Sequence, residues 1–199
     1  MKLSIIGASG HGKVVADIAE KNGYDEVEFF DDDAGLDHCG KWPVVGTVHE
    51  ALEKDCDVFI AIGKAEIREA LMECFRGRRF PTLIHPSAVV ADDVMIGEGS
   101  VVMAGAVINP GSKLGRGVII NTCSSVDHDC VIEDFVHISV GAHLSGTVNV
   151  GKGTWIAVGA SIVNNVNIGE RVVIGSGAVV IRDIEEAGTY VGVPAKKLR

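Results

Sequence analysis

Aromatic side chains are scarce in this chain of 199 residues: only 5% of the residues are Phe, Trp or Tyr, whereas 25 residues are glycine. A core without large rings must be filled by small aliphatic side chains, which requires a regular arrangement. Long apolar runs are also missing, because no stretch approaches the roughly 18–20 residues that cross a bilayer. The first apolar run is short and passes straight into a glycine-rich turn, so we expect no signal peptide.

Concentrated basic charge is missing as well, since the net charge is −9 and the Lys/Arg clusters are limited to residues 76–79 and 196–197. Nucleic-acid binding needs a concentrated basic surface, so we expect no nucleic-acid partner. The missing apolar runs likewise predict no membrane partner. The five cysteines form no Cys-x-x-Cys pair: Cys39, Cys56, Cys74, Cys123 and Cys130. Scattered thiols in odd number are typical of a reduced, cytoplasmic protein.

A six-residue repeat dominates the second part of the sequence. Every sixth residue from Ile84 to Val180 is Ile, Leu or Val, at seventeen positions without a slip in register. The fifth position of each hexad is also small or aliphatic, and Gly, Asn and charged residues gather at positions two to four. This period predicts a parallel β-helix of almost six coils, with three short strands per coil and with residues eighteen apart stacked in adjacent coils.

Residues 1–80 follow a different pattern, in which short apolar strands alternate with helical segments. We predict strands at Leu3–Ile6, Val27–Phe30 and Val58–Gly63, and helices at Val14–Glu20, Thr47–Leu52 and Glu66–Phe75. The order β-α-β-α-β-α predicts a small Rossmann-like parallel sheet flanked by helices, which is an α/β fold. We expect the boundary near residues 80–84, which gives a first domain of residues 1–80 and a β-helix domain of residues 81–199.

A glycine-rich loop, Gly7-Ala8-Ser9-Gly10-His11-Gly12-Lys13, joins the first strand to the first helix. In this context backbone N–H groups and a helix N-terminus hold phosphate. As a Walker A loop, the segment has Val14 where Ser or Thr should bind Mg²⁺. As a dinucleotide fingerprint, it has the spacing GxxGxG instead of GxGxxG. Both interpretations are therefore weak.

A nucleotide-sugar site is the third interpretation of this loop. The diphosphate would rest on Ser9, Gly10 and His11. Asp31 and Asp32 end the next strand, where their carboxylates would accept hydrogen bonds from a nucleobase or a ribose. The alternative is a tight turn between strand and helix that binds no ligand.

Four histidines lie on the predicted coil, and His128 has carboxylate neighbours on both sides. A neighbouring carboxylate raises imidazole basicity and fixes its tautomer, as a general base near neutral pH requires. The sequence leaves open whether Asp127 or Asp129 makes that contact. Gly146, eighteen residues later, should stack beside His128 with its N–H facing an oxyanion. A plain surface histidine is the alternative interpretation.

A zinc site is a competing interpretation of the coil histidines, since some β-helix proteins are zinc carbonic anhydrases. Those proteins carry a His-x4-His pair, whereas His128, His137 and His143 are spaced by nine and six residues. We therefore expect no metal. The spacing of eighteen also predicts that His137 and Trp155 are ring neighbours on the outer wall of the coil.

Seven stretches together form a specific pattern that covers nearly the whole chain: residues 7–13, 30–32, 61–63, 66–68, 121–132, 137–142 and 192–196. A chain with these motifs resembles the bacterial nucleotide-sugar acetyltransferases of the hexapeptide-repeat class. That family includes UDP-4-amino-sugar N-acetyltransferases and the related sialic acid O-acetyltransferases. The resemblance implies a left-handed β-helix, a homotrimer, and acetyl-CoA bound in the groove between adjacent coils.

The resemblance also implies roles for individual residues. His128 would be the general base and Asp129 would raise its basicity. His137 and the Gly146 N–H would meet the acetyl thioester. The remaining site residues implied are Val158 and Ser176 for the CoA arm, and Ser9, Gly10, His11, Asp31, Asp32, Gly63 and Glu66 for the nucleotide-sugar.

The expected function is acetyl transfer from acetyl-CoA to the amine of a nucleotide-linked 4-amino-4,6-dideoxy sugar, with UDP as the expected nucleotide, in bacterial surface-glycan biosynthesis. The transfer would be direct, so Cys123 and Cys130 are expected to be packing residues. The alternative within the family is O-acetylation of sialic acid or a related nonulosonic acid. A non-enzymatic function is a further alternative, in which the coil is a trimeric scaffold and the first domain senses a nucleotide-sugar.

Overall fold

The computed structural model of the protein describes residues 1–198, so residue 199 at the end of the expected second domain lies outside it. The chain forms two compact units that divide between Ile84 and His85. The longest helix in residues 1–198 spans 12 residues, and no helix there is long and apolar enough to cross a membrane.

The first unit contains a five-stranded sheet and three helices. Its strands are β1 (Lys2–Ile6), β2 (Glu26–Phe30), β3 (His38–Cys39), β4 (Trp42–Gly46) and β5 (Asp57–Ile60), and β6 (Leu83–Ile84) ends the unit. Its helices are α1 (Gly10–Lys21), α2 (Val48–Ala51) and α3 (Ala65–Cys74). The sheet order is β3-β4-β2-β1-β5, and all neighbours except β3 and β4 run parallel. The prediction of a small Rossmann-like sheet is confirmed.

The sheet includes a hairpin, β3–β4, that the sequence pattern does not predict. β3 has only two residues and β4 contains Pro43, so neither strand carries a regular alternation of apolar and polar residues. Helix α1 begins at Gly10 instead of Val14, because the glycine loop itself forms the first helical turn. The other two helices agree with the prediction to within one residue, and Thr47 caps α2 through a reciprocal pair of bonds with Glu50.

The second unit is built from parallel strands that are mostly two residues long. They are β7 (Val89–Val90), β8 (Met95–Ile96), β9 (Val101–Val102), β10 (Val107–Ile108), β11 (Lys113–Leu114), β12 (Ile119–Ile120), β13 (Ser125–Val126), β14 (Val131–Ile132), β15 (His137–Ile138), β16 (His143–Leu144), β17 (Asn149–Val150), β18 (Trp155–Ile156), β19 (Ser161–Ile162), β20 (Asn167–Ile168), β21 (Val172–Ile174) and β22 (Val179–Val180). An antiparallel pair, β23 (Gly188–Val191) and β24 (Lys196–Lys197), ends the described chain.

These strands form the three faces of a coil. Face A contains β7, β10, β13, β16, β19 and β22; face B contains β8, β11, β14, β17 and β20; face C contains β9, β12, β15, β18 and β21, to which β23 and β24 are added. Paired residues from β7 to β22 are eighteen apart, as in Ile108 with Val126. The inward residues are buried, Val126 and Ile138 completely. The prediction of a left-handed parallel β-helix is confirmed.

A left-handed backbone conformation recurs at the corners of the coil. From Gly99 to Gly177 every sixth residue has a positive φ, and eight of these fourteen residues are glycine. The other six are Cys123, Asp129, Phe135, Thr147, Asn165 and Arg171. This conformation costs a residue with a side chain roughly 1–2 kcal/mol, which explains the glycines at the fourth hexad position. Asp129 of the predicted site occupies one such corner.

Hydroxyl groups inside the coil complete its backbone hydrogen bonding. The buried Ser100 hydroxyl donates to the Gly115 carbonyl at 3.0 Å and accepts the Val118 N–H at 2.9 Å. Ser112 and Thr154 repeat this pattern. A small hydroxyl at the fifth hexad position therefore bridges two backbone groups of the following coil.

Gly12, on the inner side of α1, leaves no room for a side chain. An added Cβ would overlap the Gly7 carbonyl oxygen and the Phe29 ring. We expect Gly12→Ala to lower the free energy of unfolding by roughly 1–3 kcal/mol, the usual cost of overpacking. Gly10→Ala is the matched control, because no atom lies within 4 Å of its added Cβ. Equal urea midpoints for the two variants would contradict this account of the packing.

Candidate active site

The turn between β13 and β14 carries the acid-flanked histidine at the corner between faces A and B. His128 Nδ1 lies 2.8 Å from Asp129 Oδ2, and both side chains are more than half exposed. The left-handed backbone of Asp129, with φ of 58°, accompanies this contact between sequence neighbours. Of the two acids that the sequence leaves open, Asp129 is the one that contacts the imidazole.

Asp127 contacts the backbone of the same turn instead. Its Oδ1 accepts the His128 backbone N–H at 2.8 Å and the Asn109 side-chain N–H at 2.7 Å. The bond from Asn109 is the main cause that lowers the pKa of Asp127, so this carboxyl is ionised at neutral pH. Asp127 therefore joins the turn to the preceding coil.

The two carboxylates act on the basicity of His128. The hydrogen bond to Asp129 is the main cause that raises the pKa of His128 above its ordinary value. Loss of hydration opposes this rise, and the charges of Asp127 and Asp129 add to it. An imidazole with a raised pKa is a stronger base once it is deprotonated, as proton removal from an attacking group requires.

Gly146 lies against the His128 ring, one coil further along. A Cβ added at Gly146 would overlap His128 Nε2, so a side chain at this position would displace the imidazole ring. Gly146 is buried, and its backbone N–H has no acceptor within residues 1–198. The corner therefore places an unused backbone donor next to the ring nitrogen that Asp129 does not contact.

His137 and Trp155 stack on each other as predicted, with ring centroids 6.1 Å apart and planes 14° apart. His137 Nε2 lies 3.2 Å from Asn121 Nδ2, and the Trp155 indole N–H donates to Ser139 at 2.7 Å. These rings lie on face C, whereas His128 lies at the corner between faces A and B. Within one chain, the structure does not bring His137 to His128.

The residues expected to line the CoA arm form a column at the corner between faces C and A. Val158 and Ser176 are exposed there, eighteen residues apart. Val140 begins the same column, and the Gly159 and Gly177 N–H groups bond to the carbonyls of Val140 and Val158 at 3.0 and 2.9 Å. The Val140 and Val158 side chains are 44% and 52% exposed. Exposed valines in a row suit an apolar acyl or pantetheine chain.

Open space lies in front of the glycine loop of the first unit. A Cβ added at Gly10 or Gly63 meets no atom within 4 Å. Ser9 precedes α1 and is exposed, and its side chain makes no capping bond. Glu66 is exposed in the first turn of α3. The loop therefore presents backbone N–H groups and a hydroxyl to open space.

Asp31 and Asp32 also bind backbone groups of their own unit. Asp31 accepts the Ala8 N–H at 2.7 Å and the Asp33 N–H at 3.0 Å, so it braces the glycine loop. Asp32 is exposed and accepts the Val48 N–H at 3.0 Å with one of its oxygens. Asp32 thus keeps more acceptor capacity for a ligand than Asp31 does.

His11 and Arg68 form the buried part of this site. His11 Nε2 is buried without a hydrogen-bond partner in residues 1–198. Burial, and then the Arg68 charge, lower the pKa of His11 to about 4, so its ring is neutral at physiological pH. Arg68 is 1% exposed and donates to the carbonyls of Ile62 and Gly63 at 2.7 and 2.9 Å, which fixes the loop after β5.

A metal centre finds no support among residues 1–198, where no group of three or more His, Cys, Asp or Glu side chains is arranged to hold an ion. The chemistry available at the His128 corner is general base catalysis beside an oxyanion donor.

Comparisons with known proteins include matches to part of the chain and solved structures that match nearly all of it. Residues 2–75 match the family described as PglD N-terminal domain. The acetyltransferase domain of PglB from Neisseria gonorrhoeae FA1090, solved with acetyl coenzyme A, is 43% identical, with a TM-score of 0.96 over 99% of this chain and 98% of that chain. The chain belongs to the hexapeptide-repeat family of bacterial nucleotide-sugar acetyltransferases. PerB from Caulobacter crescentus, solved with CoA and GDP-perosamine, is 36% identical, with a TM-score of 0.94 over 100% of this chain and 98% of that chain.

A curated relative in this family is similar over a shorter stretch. UDP-N-acetylbacillosamine N-acetyltransferase from Bacillus subtilis strain 168 is 37% identical over 110 residues, which are 51% of this chain and 51% of that protein. The chain spans about half the length of the curated relatives it matches.

Sequence reasoning missed several residues that the structure adds to these sites. Asn109 lies eighteen residues before Asp127, and Val140 lies eighteen residues before Val158. The stacking period of eighteen residues could therefore have identified both. Arg68 gave no such signal, because a charged residue on a short helix is exposed in most proteins.

The contact between His128 and Asp129 predicts a titration shift. We expect Asp129→Asn to lower the pKa of His128, because the neutral amide no longer stabilises the imidazolium. Asp127→Asn should lower it less, since Asp127 does not touch the ring. Histidine NMR titration of the two variants and the parent measures the three values, and an unchanged His128 pKa in Asp129→Asn would contradict the assignment.

Proposed function

We propose that this chain transfers the acetyl group of acetyl-CoA directly to the amine of a nucleotide-linked 4-amino-4,6-dideoxy sugar, with UDP as the nucleotide. The observation that carries the proposal is the His128 corner, where a ring made basic by Asp129 has its Nε2 next to the unused N–H of Gly146. The PglB domain solved with acetyl coenzyme A and PerB solved with CoA and GDP-perosamine support this reaction class.

The proposed reaction needs no nucleophile from the protein. The amine nitrogen of the sugar attacks the thioester carbonyl carbon, and His128 Nε2 takes the proton that the nitrogen loses. The Gly146 N–H donates to the carbonyl oxygen as negative charge develops there, a contribution of about 3 kcal/mol for comparable donors. The carbon–sulfur bond then breaks, and the proton held by His128 is available to the departing thiolate.

Of the two coil cysteines expected to be packing residues, Cys130 fits that role, whereas Cys123 is exposed and does not. Cys130 is fully buried, and its Sγ donates towards the carbonyl oxygens of Ser145 at 3.3 Å and His128 at 3.7 Å. Burial raises the pKa of Cys130, which disfavours the reactive thiolate. A buried thiol of this kind is an unsuitable acyl carrier.

The distribution of site residues over the coil supports a homotrimer. His128 and Gly146 lie at one corner, whereas His137, Val158 and Ser176 lie on another face and another corner of the same chain. A second copy brings its face C to the His128 corner of the first, so that one acetyl-CoA contacts both groups. Three such contacts close a ring with threefold symmetry, in which every interface holds one site.

The first unit is the proposed binding site of the nucleotide-sugar. Gly10 and Gly63 face open space and Ser9 is exposed, so the backbone N–H groups at the start of α1 can reach a diphosphate. Asp32 has a free acceptor for a base N–H or a ribose hydroxyl. The name of the Bacillus subtilis relative supports a UDP-linked sugar. Since acetyl-CoA and nucleotide-sugars are cytoplasmic metabolites, we place the reaction in the cytoplasm, as a step of surface-glycan synthesis.

The general base is tested by His128→Ala. We expect turnover to fall by roughly 10²–10⁴-fold, the usual effect of removing a general base, with little change in the affinity for acetyl-CoA. Cys123→Ser and Cys130→Ala are the controls and should keep most of the activity. Steady-state kinetics with acetyl-CoA and a UDP-linked 4-amino sugar measure all three variants.

Two results would contradict direct transfer with His128 as the base. One is a His128→Ala variant whose turnover stays within a few-fold of the parent. The other is an acetylated enzyme trapped by mass spectrometry during turnover, which would indicate a ping-pong reaction through a protein nucleophile.

The trimer is tested by light scattering at micromolar concentration. We expect a mass three times that of the chain, because the site residues of one chain are separated and a neighbouring copy completes each site. A monomer that retains full acetyltransferase activity would show that one chain holds a complete site.

A further inference from the structure

The turn that carries His128 is held by the turn directly before it in the stack. We call residues 127–130 the base turn and residues 109–112, eighteen residues earlier, the support segment. Three residues of the support segment form hydrogen bonds with the base turn, through a side chain or a backbone carbonyl. At the fourth, Gly111, the absence of a side chain lets the base turn approach closely. The contacts differ in kind, and two of them reach the carboxylates of the acids beside His128.

Asn109 contacts the first of these acids. Its side-chain N–H donates to Asp127 Oδ1 at 2.7 Å, and the same oxygen accepts the His128 backbone N–H at 2.8 Å. The amide of Asn109 thus fixes the carboxylate that in turn fixes the backbone of the base. Asp127 is ionised, which strengthens both bonds relative to bonds between neutral groups.

Gly111 makes room for the second acid. A Cβ at Gly111 would overlap Asp129 Oδ1, while the other oxygen of Asp129 bonds to the His128 ring. The Pro110 carbonyl accepts the Asp129 backbone N–H at 3.0 Å. A side chain at Gly111 would therefore displace the Asp129 carboxylate from its present position against the imidazole.

Ser112 also bonds to the base turn, but its bonds are of a kind that recurs elsewhere in the β-helix. Its hydroxyl donates to the Asp127 carbonyl at 2.8 Å and accepts the Cys130 N–H at 3.2 Å. Ser100 and Thr154 make the same pair of bonds elsewhere in the coil, so this contact serves the backbone of the β-helix. The contacts of Asn109 and Gly111 instead reach the side chains that surround His128.

We propose that Asn109 and Gly111 are positioning residues for acetyl transfer: Asn109 acts through Asp127 and Gly111 through Asp129 to hold the His128 imidazole in place. The catalytic meaning of this role rests on the proposed function above. Misplacement of a reacting group by about 1 Å costs as much as 10²-fold in rate, so residues that never touch substrate matter at this level.

Asn109→Ala removes the first support. We expect kcat on the alkaline plateau of the pH profile to fall by about 10–100-fold, while KM for both substrates stays within about threefold. Hydrogen exchange of the His128 backbone amide should accelerate at least about tenfold as its acceptor becomes mobile. Asn149→Ala is the matched control, because it also removes a 2.7 Å bond between residues eighteen apart, to Asn167 and away from the base turn. It should change neither quantity.

Asp127→Asn separates position from charge. The amide oxygen of the new side chain still accepts both bonds, so the geometry persists while the charge is lost. We expect a smaller fall in plateau kcat than in Asn109→Ala, together with an acidic limb at lower pH, because the position of His128 is kept while it loses a charge that favours its protonated form. The charged groups that raise the His128 pKa in the parent are Asp127 and Asp129, and Asp129 remains in this variant.

Gly111→Ala tests the second support. The new methyl group displaces the Asp129 carboxylate, so the NMR pKa of His128 should fall towards its value in Asp129→Asn. Gly141→Ala is the matched control: it has the same left-handed backbone, with φ of 61° against 77°, and no atom within 4 Å of the added Cβ. It introduces the backbone strain alone and should leave the His128 pKa unchanged.

The outcomes separate this proposal from the proposed function. If Asn109→Ala keeps the plateau kcat and the slow exchange of the His128 amide, the positioning role is overturned although acetyl transfer stands. If the parent transfers no acetyl group, the proposed function fails, and amide exchange in Asn109→Ala with the His128 pKa in Gly111→Ala still decides the positioning role. If Gly111→Ala does not fold while Gly141→Ala does, Gly111 is needed for the fold and its separate positioning role is overturned, and Asn109→Ala decides the role of Asn109.

Discussion

Parallel backbone hydrogen bonds stack residues eighteen apart in the second unit, and the position of every site residue there depends on this register. The register is fixed by the inward Ile, Leu and Val side chains, because a slip of one residue would turn each of them outward. Left-handed corners every six residues turn the chain from one face to the next. The corners also carry the residues that a regular strand would not accommodate, among them His128 and Asp129.

The proposed catalytic corner uses three successive coils. Asn109 and Gly111 contact it from the preceding coil, and Gly146 contacts the His128 ring from the following coil. An exposed turn would ordinarily be mobile, but here the preceding coil holds the Asp127 carboxylate through Asn109 and the Asp129 backbone N–H through the Pro110 carbonyl. In the first unit, a buried charge positions the candidate site. Arg68 bonds to the loop after β5, and its charge helps to lower the pKa of His11.

The fold of the second unit could be predicted because the six-residue pattern that indicates it is repeated many times. Seventeen hexads in one register leave little alternative to a β-helix, and the alternation of strands and helices gives the first unit. The spacing of eighteen predicted the neighbours of His128 and His137. The spacing did not reveal which acid contacts the ring, because Asp127 and Asp129 both flank His128 in the sequence and the choice lies in the local geometry of the turn. The hairpin β3–β4 and the burial of Arg68 depend on tertiary packing, which has no periodic signal.

Direct acetyl transfer to the amine of a nucleotide-linked sugar fixes both the stoichiometry of the reaction and the bond that is formed. The most direct measurement incubates the chain with acetyl-CoA and a panel of nucleotide-linked 4-amino-4,6-dideoxy sugars, with the 4-hydroxy counterparts as controls. Free thiol is measured together with the NMR spectrum of the sugar product. We expect one thiol and one N-acetyl group for each UDP-linked amino sugar consumed, and no reaction with the hydroxy sugars. Release of thiol with acetyl ester on a hydroxyl group, or no release with any amino sugar, would contradict this expectation.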